Sequence, residues 1–354
     1  PYYCVAYEFL CENPETWLQD ATAATGMPIP AAHTEARAPG ANDAVVAMYT
    51  LSKMMREHML PHTGTWTVNE TILASGQATA DNLAAQMAMI VYAIRTSSTG
   101  MLDKIMAVLD RNADAAARVA HATVTKHWVS KSRPGLANHA MAALTYRNLE
   151  DVGPPTWGKE AVAVAQAIQK ELGLKPMRAP FLKETETLMP PEEAEARMRA
   201  DIPSWQTHYT SDDYTDMTWH APTVRLYIGR PTLAAPPGFA YPDWALNALG
   251  GIPATIDPTV ACAAKTIAGT ILDLMTDKAA VAAARSEFLA RTGGGIGGKT
   301  WMKPWCDYPP PTEFPWPRYI GTAKGREWWI PETAADRALQ RPAKRERGSR
   351  LKGG

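Results

Sequence analysis

The sequence predicts a mixed α/β protein of the α+β kind, with a four-stranded sheet and two helices in its first domain and a second, more helical α/β domain. Two observations predict the first domain. Apolar residues alternate with polar ones or run unbroken in four short segments, and they recur at three- and four-residue spacing in two longer ones. A third observation separates the domains: Pro134-Gly135 breaks the pattern, and mostly helical periodicities follow. With 354 residues, the chain is long enough for about two domains.

The first domain, residues 1–134, is predicted to follow the order strand, helix, strand, strand, helix, strand. The strands are predicted at residues 2–10, 66–72, 86–94 and 123–129, and the helices at residues 42–59 and 101–119. This order is the split βαβ arrangement, in which a four-stranded sheet is covered by two helices. We therefore expect one compact domain with both helices on one face of the sheet.

The second domain is predicted to cover residues 135–335. Helices are predicted at residues 136–149, 157–172, 192–200 and 277–289, and a strand at residues 223–228. Another helix is predicted to open with Asp257 as its N-cap and Pro258 in its first turn. Its apolar positions are Val260, Ala264, Ile267, Ile271 and Met275. Residues 336–354 are rich in Lys and Arg, end in Gly-Gly, and are predicted to be a disordered basic tail.

Composition argues against several classes of partner. Lys plus Arg equals Asp plus Glu, at 36 each, so the net charge favours no partner, and because the one dense basic run is the terminal tail, no nucleic-acid partner is predicted. No stretch approaches the ~18 unbroken apolar residues of a membrane span, and no membrane partner is predicted. The four cysteines form no CxxC pair, which is typical of free thiols in a reducing, cytoplasmic location. The chain begins at Pro1 rather than at a methionine, and this suggests a processed, split or truncated product.

A glycine-rich segment at residues 293–300, GGGIGGKT, matches the phosphate-loop pattern GxxxxGK[ST]. That loop binds phosphate only between a strand and a helix, where backbone N–H groups and the helix N-terminus face the anion. Here a predicted helix precedes the segment, and Trp301-Met302-Lys303-Pro304 after it is a poor helix start. We therefore predict a loop that does not follow a strand, rather than a nucleotide site.

A second pattern places His208, Asp212, Asp216 and His220 four residues apart. On a helix they would share one face, where two imidazoles and two carboxylates could bind zinc. The density of Thr, Ser, Asp and Tyr in this segment favours a loop instead, in which the aspartates cap turns. Asp212, Asp216 and His220 are kept as candidate metal ligands beside that simpler interpretation.

Three further residues carry groups that a carboxylate-bearing substrate would need. His33 precedes the first helix, Asn82 lies in the loop before the third strand, and Arg95 ends that strand. An arginine can meet a carboxylate with two parallel hydrogen bonds. Each of the three also has a simpler interpretation as an ordinary surface residue.

Four segments carry a resemblance to a known family, and together they span most of residues 30–290. They read AAHTEARAPGANDAVVAMYTLSKMMREHM, GQATADNLAAQMAMIVYAIR, SDDYTDMTWHAPT and AAKTIAGTILDLMTD. The first two resemble the dimerisation, or lid, domain of the aminoacylase and glutamate-carboxypeptidase family of zinc peptidases. The closest branch holds the p-aminobenzoyl-glutamate hydrolase B subunit and related amidohydrolases. The last two resemble segments from the C-terminal part of that branch's α/β catalytic domain.

The resemblance implies a hydrolase with two divalent metal ions, Zn or Mn, that acts on an amide or peptide next to a carboxylate. His33 would reach into the site of the partner subunit in a homodimer and polarise the scissile carbonyl. Asn82 would help hold the tetrahedral intermediate, and Arg95 would bind the substrate carboxylate. The implied chemistry is metal-assisted hydrolysis, in which a metal-bridged water attacks the polarised carbonyl.

Two departures from the family pattern leave the function open between two classes. The family's early metal ligands lie upstream of the lid, and residues 1–32 do not contain them. Where the branch has Pro-Gly-His, this chain has Pro237-Gly238-Phe239, and residues 11–30 look inserted. One hypothesis is an active hydrolase, with a second chain supplying the metal-binding segment. The other is a non-catalytic assembly subunit that keeps the dimerisation domain and has lost the metal site.

Overall fold

The computed structural model describes residues 1–11, 23–24, 26, 39–58, 66–76, 84–202, 212–306, 308 and 318–329. The chain divides into two compact units. The first, here called the sheet unit, contains Pro1–Pro134, His208–Asp213 and Pro304–Gly354. The second, here called the helical unit, contains Gly135–Thr207 and Tyr214–Lys303.

The sheet unit has the predicted order of elements. These are β1 (Tyr2–Leu10), α1 (Ala41–His58), β2 (Thr67–Ala74), β3 (Met87–Arg95), α2 (Thr99–Val119) and β4 (Thr123–Ser132). The strands lie in the order β2-β3-β1-β4, and each neighbouring pair is antiparallel. The segment predicted at residues 86–94 is therefore a strand, and the predicted mixed α/β class is confirmed.

The main core of this unit lies between the sheet and its two helices. Side chains on one face of β1 and β3, such as Val5, Tyr7 and Ile90, pack with Met48 of α1 and Leu102 of α2, and all five are at most 1% exposed. Ser98 caps α2 by accepting a hydrogen bond from the backbone N–H of Met101. A smaller apolar cluster lies on the opposite face and contains no helical residue.

The helical unit contains six α-helices among its described residues. They are α3 (His139–Val152), α4 (Lys159–Glu171), α5 (Pro191–Ala200), α6 (Asp243–Leu249), α7 (Pro253–Thr276) and α8 (Lys278–Thr292). Asp277, predicted as the first residue of a helix, is the N-cap of α8 and accepts hydrogen bonds from the backbone N–H groups of Ala279 and Ala280. Short 3₁₀ helices cover Lys183–Glu186 and Asp213–Trp219.

Two predicted elements of the helical unit are wrong. The helix predicted to open at Asp257 begins at Pro253, so Pro258 lies inside it. Pro253 provides the fixed φ angle of the first turn, whereas Pro258 lacks one N–H of the helix ladder. Residues 223–228 form no strand. A strand needs a neighbour, and nothing among the described residues pairs with this segment, where Arg225 instead lies over the rings of Tyr214 and Tyr227.

Helix α7 buries its small polar side and exposes its apolar side. Its buried residues are Thr255, Cys262, Thr266 and Thr270, and the hydroxyls of Thr266 and Thr270 donate to backbone carbonyls four residues earlier. Val260, Ile267, Ile271 and Met275 are 48–79% exposed. By length and composition this helix could cross a membrane, and 22% of its apolar window is buried. One helix of this kind is weak evidence for a span.

The last described element is a hairpin of β5 (Arg318–Thr322) and β6 (Gly325–Trp329), which the sequence analysis did not predict. Gly325 has a φ of +112°, which only glycine adopts readily. The Thr322 hydroxyl accepts from the Lys324 backbone N–H and closes the turn. This turn between two aromatic segments is a signal that could have been found.

Candidate functional site

Arg95 is the last residue of β3 and is exposed. Its partner across the sheet on β1 is Tyr2, and its guanidinium carbon lies 4.6 Å from the centre of the Tyr2 ring. Stacking of this kind fixes the plane of an arginine while leaving its N–H edge available. Arg95 makes no ion pair within the part of the chain that the structure describes.

The groups beside Arg95 are uncharged near neutral pH. Burial raises the pKa of the Tyr2 hydroxyl to about 12, although the charge of Arg95 acts in the opposite direction. Burial also raises the pKa of the Cys4 thiol, which lies two residues along the same face of β1. A neutral phenol and a neutral thiol do not cancel the charge of the guanidinium. This end of the sheet therefore offers a positive charge to an anion.

A contact between a buried carboxyl group and an imidazole lies on the same sheet face at the other end of β1. Glu8 is 1% exposed, and its Oε2 atom is 2.7 Å from Nε2 of His127 on β4. At about 3.3 Å per residue, Glu8 lies roughly 20 Å along the strand from Tyr2 and Arg95. The sequence analysis missed this pair. Its signal was a glutamate in an otherwise apolar strand, since buried carboxylates are nearly always paired.

The other two residues predicted to act with Arg95 lie outside the described residues. His33 and Asn82 both fall there, and so does His208 of the four-residue pattern. Of the three residues to which the resemblance assigns a role, the structure therefore places Arg95 alone. The shared cleft of His33, Asn82 and Arg95 stays a prediction.

The candidate metal ligands Asp212, Asp216 and His220 occupy the turn around the 3₁₀ helix. Such a helix has three residues per turn, so side chains four apart do not share a face. The ring of His220 stands edge-on to Trp301, with centroids 6.1 Å apart. No group of three His, Cys, Asp or Glu side chains that could hold a metal occurs among the described residues. These three residues therefore do not fit a divalent metal as a set.

Phe239 occupies the position where the resembled branch has a histidine. Its ring contacts Tyr241 edge to face, with centroids 5.1 Å apart. Tyr241 in turn donates a hydrogen bond to the Ala234 carbonyl and contacts Gln169. Phe239 thus belongs to a packed aromatic corner of the helical unit, and it has no atom that binds a metal.

The glycine-rich segment Gly293–Thr300 follows α8, as predicted, and not a strand. Its backbone N–H groups are mostly occupied within the loop. Gly294, Gly295, Gly298, Lys299 and Thr300 donate to Leu289, Thr292, Gly295, Gly293 and Thr292 respectively. A phosphate-binding loop needs these amides directed at the anion. The loop is held by its own hydrogen bonds and has no phosphate cradle.

No protein-family model matches this chain, and no curated protein matches it. Solved structures similar to it are amidohydrolases and peptidases. One is an aminobenzoyl-glutamate utilization protein from Klebsiella pneumoniae, with 16% identity over 41% of this chain and 33% of that one, at a TM-score of 0.28. Another is a hydantoinase/carbamoylase family amidase from Burkholderia ambifaria, with 12% identity over 41% of this chain and 31% of that one, at a TM-score of 0.26.

A third is a dinuclear metal-binding peptidase of the M20 family from Bacillus subtilis. It shows 13% identity over 57% of this chain and 39% of that one, at a TM-score of 0.20. The chain thus spans between 31% and 39% of the length of these three proteins. At these TM-scores the likeness assigns neither a family nor an activity, and a function has to be argued from the residues of this chain.

Proposed function

We propose that this chain is part of an amidohydrolase- or peptidase-type hydrolase that cleaves an amide next to a carboxylate, and that Arg95 binds that carboxylate. The observation that carries the proposal is the exposed guanidinium of Arg95, held over the Tyr2 ring at the end of β3. The sequence resemblance assigns carboxylate binding to the same position.

The local chemistry suits this role. A guanidinium presents N–H donors in a planar fork that matches the two oxygens of a carboxylate. Its contact with Tyr2 reduces the rotamer freedom that would otherwise be lost when substrate binds. With Tyr2 and Cys4 uncharged, no neighbouring anion on β1 competes for the guanidinium.

The remaining roles come from the resemblance alone. His33 is proposed to polarise the scissile carbonyl and Asn82 to hold the tetrahedral intermediate. A divalent metal, Zn or Mn, would supply an activated water when bound. Because no group of three or more candidate ligands among the described residues fits a metal, we propose that a second chain or segment holds it.

Hydrolysis of N-benzoyl-L-glutamate with added Zn²⁺ or Mn²⁺ tests the proposal. We expect the diacid to be cleaved and its diamide, which lacks both carboxylates, to be left intact. The matched substrates separate a carboxylate requirement from general amidase activity. Cleavage of both at equal rates would contradict the role of Arg95.

The alternative is a non-catalytic assembly subunit, and the aromatic contact of Phe239 favours it. A phenylalanine packed on Tyr241 leaves no ligand at a position that the resembled branch uses for metal. If the purified chain holds no metal and cleaves neither substrate, even when mixed with a metal-binding partner chain, the alternative replaces the hydrolase.

We also propose a homodimer that pairs through the sheet unit. Along α1, Val46, Tyr49 and Met54 are 38–63% exposed, and the adaptable side chain of Met54 suits an interface. Met48 and Met55 instead fill the core, and Met59 lies outside the described residues. Light scattering should give a mass of about twice 38.6 kDa. A monomer at micromolar concentration would overturn this assembly.

The proposed location is the cytoplasm. All four cysteines are free thiols, of which Cys4, Cys11 and Cys262 are buried and Cys306 is exposed. Free cysteines are typical of a reducing compartment, which supports this location.

A further inference from the structure

The helical unit contains a pocket of about 620 Å³ that has no part in the proposed function. Its apolar wall includes Met141 of α3, Leu274 of α7, and Val281, Phe288 and Leu289 of α8. Volumes of 300–1,000 Å³ with mostly apolar walls are typical of sites for small molecules. Arg95, the proposed carboxylate site, belongs to the other unit.

The glycine-rich loop after α8 forms one side of this pocket through Gly294, Gly295 and Ile296. The Thr292 hydroxyl holds the loop in place, since it accepts from Gly295 N–H and donates to the Phe288 carbonyl at 2.6 Å. Ile296 is 63% exposed and extends the apolar wall. The segment that resembles a phosphate loop is thus a fixed wall of an apolar pocket.

Two nitrogen-bearing side chains interrupt the apolar lining, Arg285 of α8 and His220. The edge-on contact of His220 with Trp301 fixes its ring. In the described part of the chain no carboxylate pairs with Arg285, and none lines the pocket. An arginine at an otherwise apolar pocket favours a ligand with one anionic end.

The pocket suits a ligand with a carboxylate better than one with a phosphate. A phosphate carries up to two charges and is usually held by several backbone N–H groups. Here most loop amides already donate to acceptors in the loop or at the end of α8, and Arg285 supplies one fixed positive charge. We propose that this pocket binds a small amphipathic monocarboxylate, with its apolar body against Phe288 and Leu289 and its carboxylate on Arg285.

Calorimetric titration of the full chain with octanoate, 1-octanol and octylammonium tests this site. We expect octanoate to bind once per chain with a Kd below about 1 mM, octanol more weakly, and octylammonium not at all. Arg285→Met should raise the Kd for octanoate about tenfold or more and leave octanol unchanged. Arg147→Met, at an exposed position on α3, is the matched control and should leave the Kd for octanoate and for octanol unchanged.

A second pair of variants probes the apolar wall. Val281→Trp should obstruct the pocket one turn from Arg285 and weaken binding of both octanoate and octanol. Leu272→Trp adds the same side chain at an exposed position of α7 that does not line the pocket, and should leave both unchanged. Circular dichroism would confirm that each variant is folded. Failure of the folded wild-type chain to bind octanoate, or equal binding by Arg285→Met, overturns the proposal.

Discussion

Replacing His127 by alanine is expected to lower the free energy of unfolding by about 2–3 kcal/mol, because it removes a hydrogen-bond partner from a buried carboxyl group. The Glu8 side chain is 1% exposed and its Oε2 atom lies 2.7 Å from His127 Nε2, so the change leaves a buried carboxyl oxygen without this hydrogen-bond partner. Urea unfolding followed by far-ultraviolet circular dichroism would measure the loss.

The neighbouring residue provides the control. Lys126 lies beside His127 on β4. Its Nζ atom forms an ion pair of 2.8 Å with Oδ2 of Asp110, but both side chains are more than a third exposed. Asp110 also keeps the hydrogen bond that Tyr7 donates at 2.6 Å. Lys126→Ala should therefore cost less than about 1 kcal/mol. Equal losses for the two variants would show that Glu8 does not depend on His127.

Gly298→Ala is expected to destabilise the helical unit by about 2–3 kcal/mol, because its new methyl group would meet backbone rather than a movable side chain. A Cβ atom there would lie 2.8 Å from the carbonyl carbon of Gly293, closer than real Cβ contacts. The loop would have to open, breaking the bonds that Gly298 and Lys299 donate to Gly295 and Gly293.

Gly251→Ala, also in the helical unit, is the matched control for Gly298→Ala. Its nearest contact would be the Ala248 carbonyl oxygen at 3.7 Å, an ordinary van der Waals distance. We expect its effect to stay within about 0.5 kcal/mol. Urea unfolding of both variants can be followed by far-ultraviolet circular dichroism. A Gly298→Ala protein as stable as Gly251→Ala would contradict the described loop.

The sheet unit could be predicted because its local patterns agree with its tertiary structure. The aromatic and β-prone residues of β1 and the helical spacing in α1 and α2 predict elements whose side chains pack in one core, so the local patterns agree with the tertiary packing. The packed side of helix α7 could not be predicted in this way. Its apolar spacing predicted a helix correctly, but the side packed against its own unit carries Thr255, Thr266 and Thr270. Periodicity identifies an apolar face without telling what covers it.

The residues of the candidate site were likewise only partly predictable from the sequence. Arg95 could be singled out from sequence because it ends an apolar strand, where a charged residue needs a reason. The contact between Glu8 and His127 depends on the register of β1 with β4, and the bulge between Cys4 and Val5 shifts that register. Residues 119 apart in sequence meet through such pairing, which no local pattern encodes. Asp212, Asp216 and His220 would share a face only on an α-helix; the sequence favoured a loop there, and the structure has a 3₁₀ turn.

The most direct test of the proposed function is the affinity of the chain for N-benzoyl-L-glutamate with and without Arg95. Calorimetric titration would compare the wild-type chain with Arg95→Ala and with Arg111→Ala, an exposed arginine on α2 that the proposal gives no role. Losing a bidentate contact to a charged carboxylate corresponds to a rise in Kd of about 10- to 100-fold. The account predicts that rise for Arg95→Ala and an unchanged Kd for Arg111→Ala, whereas an unchanged Kd for folded Arg95→Ala would contradict it.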